Sequence, residues 1–244
     1  MCESCGCGQP EAGKNMSVHE HEHEHIHNHD KKVDLGFDLL EENRKLAAKN
    51  RELFRKKKIV TVNILGSPGA GKTSLLSKTL DELKDNFRIG IITGDLTGDE
   101  DMKRLARKKV VVHQIQTGRV CHLDAHMIAH ALEHFSLDEL DILFIENVGN
   151  LVCPAAFDLG ETKRVVVLSI AEGADKPSKY PEIFSGADAV LLSKIDFAPY
   201  TDFDFSRAET DIHRIRFTVE LMRVSSRTGD GIKSWCDWLA RLTK

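Results

Sequence analysis

Gly66-Ser67-Pro68-Gly69-Ala70-Gly71-Lys72-Thr73 follows the apolar run Ile59–Leu65 and leads into a helical pattern. A glycine-rich turn of this spacing turns backbone N–H groups toward phosphate oxygens, and the helix behind it adds its positive N-terminal end. In such a loop Lys72 reaches the β- and γ-phosphates and the Thr73 hydroxyl is a ligand for Mg²⁺. Gly66, Ser67, Gly69, Ala70, Gly71 and Ser74 complete the expected cradle.

Hydrolysis of a bound nucleotide also needs carboxylates. Asp95 and Glu146 each close an apolar run, and the C-terminal ends of strands face the ligand crevice of open α/β sheets. One would hold Mg²⁺ through water and the other orient the attacking water, and the sequence leaves the assignment open. The backbone N–H of Gly149 is a candidate γ-phosphate sensor. Ser193-Lys194-Ile195-Asp196 follows another apolar run and is similar to the Asn-Lys-x-Asp guanine motif of GTPases, with Ser193 at the asparagine position. Asp196 would accept from N1 and N2 of guanine, a pattern adenine lacks, while the Lys194 stem packs on the base. Ser226 and Arg227, after the next strand, sit where a second base-contacting loop belongs. GTP is therefore expected over ATP.

Soft metal ligands form a second chemistry. Cys2, Cys5 and Cys7 lie within six residues, and Gly6 lets the chain fold tightly enough for three thiols to meet one ion. Such donors suit Ni²⁺, Zn²⁺ or Cu⁺. Histidines occupy every second position from His19 to His29, so an extended chain points them one way, as in a storage or buffering tract. Cys121 and His122 are expected to open a helix, and Cys153 follows the Glu146–Gly149 segment; together they could form a Cys/His/Cys site coupled to nucleotide state. Buried structural cysteines are the plainer reading of these residues, and of Cys236. His122, His126, His130 and His134 recur every fourth residue, giving one helical stripe of a kind that can bind a metal; for His126, His130 and His134 the preferred reading is a solvated or partner-facing stripe.

Alternating elements must position these groups. Strands are expected at 59–65, 88–93, 110–116, 141–146, 164–170, 188–193 and 218–224, and helices at 72–84, 99–108, 122–135, 176–185, 204–216 and 231–243. The fold class is α/β, a mostly parallel sheet flanked by helices. Residues 1–33 read as a metal-binding tail, disordered without metal for want of apolar side chains to bury. Residues 34–58 form a leading amphipathic helix, and 59–244 a P-loop nucleotide-binding domain.

At 244 residues, with 41% hydrophobic and 30% charged side chains, the chain can fill a substantial core. The formal charge of −4 is concentrated in the first thirty residues, and no basic face points to nucleic acid. No apolar run reaches bilayer length and no secretory leader is evident, so a cytoplasmic location with reduced cysteines is expected.

Taken together, Cys2 to Gly8, Gly66 to Thr73, Gly118-Arg119-Val120-Cys121-His122-Leu123 and Glu146 to Pro154 resemble HypB, the family of nickel-inserting GTPases of nickel–iron hydrogenase maturation. The resemblance spans nearly the whole chain. It implies a GTP-dependent homodimer with slow hydrolysis to GDP, nickel at Cys2, Cys5 and Cys7, and a Ni²⁺ or Zn²⁺ site at the dimer interface made by Cys121, His122 and Cys153. It also implies a HypA-type chaperone partner and delivery to the hydrogenase large subunit. The related urease-accessory GTPases of the UreG family carry a Cys-Pro-His triplet, whereas here Cys121 joins His122 directly. A metal-storage protein with an incidental nucleotide domain and a P-loop ATPase with a regulatory metal tail are the alternatives.

Overall fold

The computed structural model describes residues 29–96, 98 and 100–243, with side chains from residue 38 onward. The expected thiol cluster at Cys2, Cys5 and Cys7, and the histidine tract up to His27, lie outside the described residues.

Seven parallel strands form one sheet: β1 (Val60–Leu65), β2 (Ile89–Asp95), β3 (Val111–Gln116), β4 (Ile142–Glu146), β5 (Lys163–Ser169), β6 (Ala189–Ser193) and β7 (Glu220–Val224). The order is β3-β2-β4-β1-β5-β6-β7. Helices lie on both faces, which buries β1, β4 and β6 along their whole length. On one face, Ile91, Phe144, Val62, Val167 and Leu191 meet α2 (Lys72–Leu83) and α9 (Ile232–Leu242) through Leu76, Leu80, Trp235 and Leu239. Trp235 Nε1 donates to Thr79 Oγ1 at 2.8 Å, so the largest buried side chain also satisfies its one polar atom.

The opposite face is divided. Ile92, Leu143 and Ile145 pack against α1 (His29–Lys57) and α4 (Ala125–Ala131). Val166, Leu168 and Val190 pack against α7 (Pro181–Ser185) and α8 (Phe205–Ile215). Three short helices complete the set: α3 (Glu100–Ala106), α5 (Cys153–Ala156) and α6 (Lys176–Lys179).

All seven expected strands are present, each within two residues of its expected limits. The helices differ in informative ways. α1 begins at His29, before the expected 34. The segment 176–185 breaks into α6 and α7 because Pro181 has no N–H to continue the first helix and instead starts the second. The helix expected over 122–135 starts at Ala125. Asp124 stops it from extending backward: its backbone is extended and its carboxylate accepts from Met127 N at 2.8 Å. Cys121 and His122 thus lie in the loop before α4 and do not begin the helix. That frees their side chains from helical spacing.

Candidate functional site

β1 is the middle strand of the sheet, and its chain leaves at the C-terminal edge as the glycine loop Gly66–Gly71. Gly71 adopts φ +100° as the N-cap of α2, which aims the first N–H groups of the helix into the crevice. A cavity of about 460 Å³ opens there, lined by the loop from Pro68 to Ser74, by Asp95, Asp101 and Arg104, by Glu146 to Gly149, and by Lys194. Lys72 is buried, and its Nζ donates to the carbonyls of Gly66 and Ser67 at 3.1 Å each. Burial lowers its pKa, against the pull of Glu146. The ammonium therefore rests on weak neutral acceptors beside an anion-sized space.

Glu146 ends β4 in register with Ile64 and Thr93. Its Oε1 accepts from Thr73 Oγ1 at 2.7 Å, while Oε2 is buried with no partner. Burial pushes the carboxyl up to about 7. A carboxylate oxygen left unsatisfied next to a threonine hydroxyl is a donor set suited to a hard cation such as Mg²⁺. Asp95, at the end of β2, faces the same cavity, and its Oδ1 accepts from Leu96 N at 2.7 Å. The structure brings Lys72, Thr73, Asp95 and Glu146 to one place. Gly149 approaches the glycine loop so closely that a Cβ on it would lie 2.9 Å from Pro68 Cα, so no larger residue fits. Asn150 N donates to Gly66 O at 3.1 Å and closes this loop against the other.

A smaller adjoining cavity, about 290 Å³, is lined by Gly71, Ser74, Arg104, Ser193, Lys194, Asp196, Phe197, Ser226 and Arg227. Every residue expected to read the base is there. Ser225 Oγ donates to Asp196 Oδ1 at 2.6 Å and fixes the carboxylate. Ser193 Oγ donates to Ala70 O at 2.6 Å, so the residue that replaces asparagine ties the base loop to the phosphate loop. Sequence reasoning missed Arg104, whose Nη1 donates to Ser74 Oγ at 3.1 Å and which borders both cavities; one arginine in the basic segment Lys103–Lys109 carried no distinguishing signal.

The metal-type donors form a cluster of their own, joined to the Glu146–Gly149 segment through the Asn147 side chain, which accepts from Leu123 N at 3.1 Å. Among the described residues, Cys121, His122 and Cys153 are the one group of three or more such side chains whose ligand atoms all lie within 4.8 Å of one another. The two sulfurs are 2.8 Å apart. The hydrogen bond with the neighbouring Cys121 thiol, and then burial, raise the pKa of Cys153. His122 stacks on Phe157 with ring centroids 3.7 Å apart, and its Nδ1 is buried without a partner. Burial lowers its pKa, which keeps the imidazole neutral and its lone pair available. Two thiols and a neutral imidazole are a soft donor set with room for a further ligand. Cys236, by contrast, is buried in the core, its thiol pushed up to about 12 by burial.

Residues 60–223 match the CobW/HypB/UreG nucleotide-binding domain. The hydrogenase maturation factor HypB of Azotobacter vinelandii is 47% identical over 206 residues, covering 84% of this chain and 67% of that protein. The chain belongs to the HypB family. The crystal structure of HypB from Archaeoglobus fulgidus superposes with a TM-score of 0.79 at 40% identity, covering 83% of this chain and 99% of that one. HypB from Helicobacter pylori, solved in complex with nickel, gives a TM-score of 0.79 at 37% identity, covering 83% and 95%. Family membership matches what the residues assemble: a P-loop nucleotide crevice and a cluster of two sulfurs and an imidazole. No described helix is long and apolar enough to cross a membrane.

Proposed function

We propose that this chain is a GTP-hydrolysing nickel metallochaperone of nickel–iron hydrogenase maturation, whose nucleotide state sets its hold on the metal. The observation that carries the proposal is the position of Asn147. It follows Glu146 directly, and its side-chain carbonyl accepts from Leu123 N, the residue after His122. Its amide donates to Asn63 in β1, whose own amide donates to Glu161. Glu161 pairs with Arg164, which donates to the carbonyls of Ala155 and Phe157 around α5. One polar network therefore touches the strand feeding the phosphate loop, the segment after Glu146, the Cys121–His122 loop, and the short helix α5 that Cys153 opens.

In this reading Lys72 leaves the Gly66 and Ser67 carbonyls for the β- and γ-phosphates, and the loop N–H groups bind the phosphate oxygens. Mg²⁺ bound near Thr73 and Glu146 would neutralise phosphate charge. Asp95 orients the attacking water, since Glu146 already shares Thr73. Gly149 N–H senses the γ-phosphate, and Asp196, Lys194, Ser226 and Arg227 select guanine. When the Glu146–Gly149 segment closes on GTP, Asn147 shifts the Leu123 end of the Cys121–His122 loop, and Cys153 moves with the same segment. Hydrolysis to GDP releases both. The limited donor set of Cys121, His122 and Cys153 suits completion by a second copy in a GTP-dependent homodimer, with Ni²⁺ or Zn²⁺ as cargo. Cys2, Cys5 and Cys7 add a nickel-binding tail. A HypA-type chaperone and the hydrogenase large subunit are the proposed exchange partners, in the cytoplasm.

Phosphate release by the purified full chain tests the catalytic half. GTP turnover well above ATP turnover, lost in Lys72→Ala, is expected; equal or faster ATP turnover would remove the guanine assignment.

A further inference from the structure

The phosphate cavity and the base cavity share a rim: Gly71, Ser74, Arg104 and Lys194 line both. Gly71 offers backbone there, and the Lys194 stem belongs with the base. Arg104 reaches the rim from α3, where Asp101, three residues earlier, lines only the phosphate cavity. The Arg104 Nη1 donates to Ser74 Oγ at 3.1 Å, and among the described residues Arg104 has no carboxylate partner. A guanidinium carries five N–H donors in a planar fork. One bond to a neutral hydroxyl leaves most of that fork unused, at the mouth of an anion-sized space.

We infer that Arg104 binds the α-phosphate of the nucleotide, in the triphosphate and diphosphate states alike. The inference rests on the nucleotide reading of these cavities. Where the α-phosphate lies follows from the two ends of the ligand. The β- and γ-phosphates belong with Lys72 and Thr73, and the base with Asp196, so the link between them crosses the shared rim. Ser74 marks the crossing. Successive helix residues turn by about 100°, which points Ser74 away from Thr73, whose hydroxyl is bonded to Glu146 Oε1. Ser74 lines the base cavity and Thr73 does not. A planar guanidinium beside Ser74 matches two oxygens of one phosphate. Retention and switching are then separate tasks. The γ-phosphate is read at Gly149, whereas Arg104 holds a group that hydrolysis does not remove. Because Arg104 is part of α3, the helix after Asp95, its grip keeps that segment seated over GDP as over GTP, and the segment loosens only when the nucleotide leaves.

The test uses the full chain with Mg²⁺ and measures affinity for guanosine, GMP, GDP and a non-hydrolysable GTP analogue by competition with radiolabelled GDP. Arg104→Ala is expected to weaken GMP, GDP and the analogue by one common factor, about 10–100-fold, with guanosine unchanged. The loss should appear as faster release of GDP and of the analogue. Arg104→Lys keeps the charge without the fork and should fall between Arg104→Ala and wild type. Arg104→Ala made in a Ser74→Ala background should still show the common factor. A loss confined to the GTP analogue would move the contact to the γ-phosphate, and an equal loss of guanosine would move it to the ribose. No loss, or a loss that vanishes in the Ser74→Ala background, would leave Arg104 as a support of Ser74. Each of these outcomes overturns the inference. Tighter binding of ADP and ATP than of GDP and GTP would defeat the guanine reading separately, and the same comparison would then be made with adenosine, AMP, ADP and an ATP analogue.

Discussion

The side-chain carbonyl of Asn147 accepts the backbone N–H of Leu123 at 3.1 Å, and joins the segment after Glu146 to the loop that carries Cys121 and His122. The same oxygen accepts from Val148 N at 2.9 Å. Asn147 is only 1% exposed, so neither N–H has water as a substitute. Asn147→Ala should cost about 1–3 kcal/mol of stability by stranding buried donors. Asn147→Asp keeps the acceptor and loses the donation to Asn63. Both should bring the ratio of nickel affinities with GDP and with a GTP analogue toward one, while nucleotide affinity changes less. Isothermal titration of each variant checks this, and a ratio equal to wild type in both would remove Asn147 from the coupling.

Glu146 makes the nucleotide-free chain sensitive to pH. Burial raises its pKa from the ordinary 4.5 to about 7, so the folded state holds the proton more tightly than the unfolded state. Its contribution to stability is full below about pH 4.5 and is lost as pH rises through 7, roughly 3 kcal/mol in all. Urea unfolding without nucleotide should show this slope, and Glu146→Gln should flatten it. Binding of magnesium and GTP favours the ionised carboxylate, so it should release a proton near neutrality. Calorimetry in buffers of different ionisation enthalpy measures that release, and its persistence in Glu146→Gln would assign it elsewhere.

The ring of Phe157 lies 3.7 Å from that of His122 and fixes its orientation beside the two sulfurs. Phe157→Ala should lower metal affinity at this site by about 10–100-fold, in the range of changes to groups that orient a ligand. Cys121→Ser, which removes a donor, should cost more. Competition with a chromophoric chelator ranks the two, and Phe157→Ala equal to wild type would mean the stack does not hold the ligand.

Asp196 presents the base pocket with a carboxylate held by Ser225 Oγ at 2.6 Å. Asp196→Ala should cut GTP affinity by about 1.5–3 kcal/mol, the scale of a hydrogen bond to a charged group, and leave the weaker ATP affinity nearly unchanged. Ser193→Ala should weaken both nucleotides alike, because Ser193 Oγ bonds Ala70 O and positions the phosphate loop. Fluorescent-nucleotide displacement separates the two outcomes.

What could be read in advance follows from how local each signal is. The strands were legible because runs such as Val165–Leu168 are buried on both faces and need no partner residue to be recognised. The glycine loop was legible because its glycines and Lys72 are contiguous. The start of α4 was misplaced: an apolar and histidine period extends back to His122, but Asp124 turns its carboxylate onto Met127 N and ends the helix there. Phe157 and Arg104 gave no signal, and Asn147 stood inside the Glu146–Pro154 motif with nothing to show its partner. Each acts on residues distant in sequence, as when Asn147 meets Leu123 across β4 and the α4 loop, and such pairings exist only once the sheet order β2-β4-β1 is set.

Nickel affinity of the wild-type chain, measured once with GDP and once with a non-hydrolysable GTP analogue in the presence of magnesium, tests the central claim most directly. The account predicts affinities that differ by at least about fivefold, the lower end of ordinary coupling between sites, with the difference lost in Cys121→Ser. Identical affinities in the two nucleotide states would contradict it.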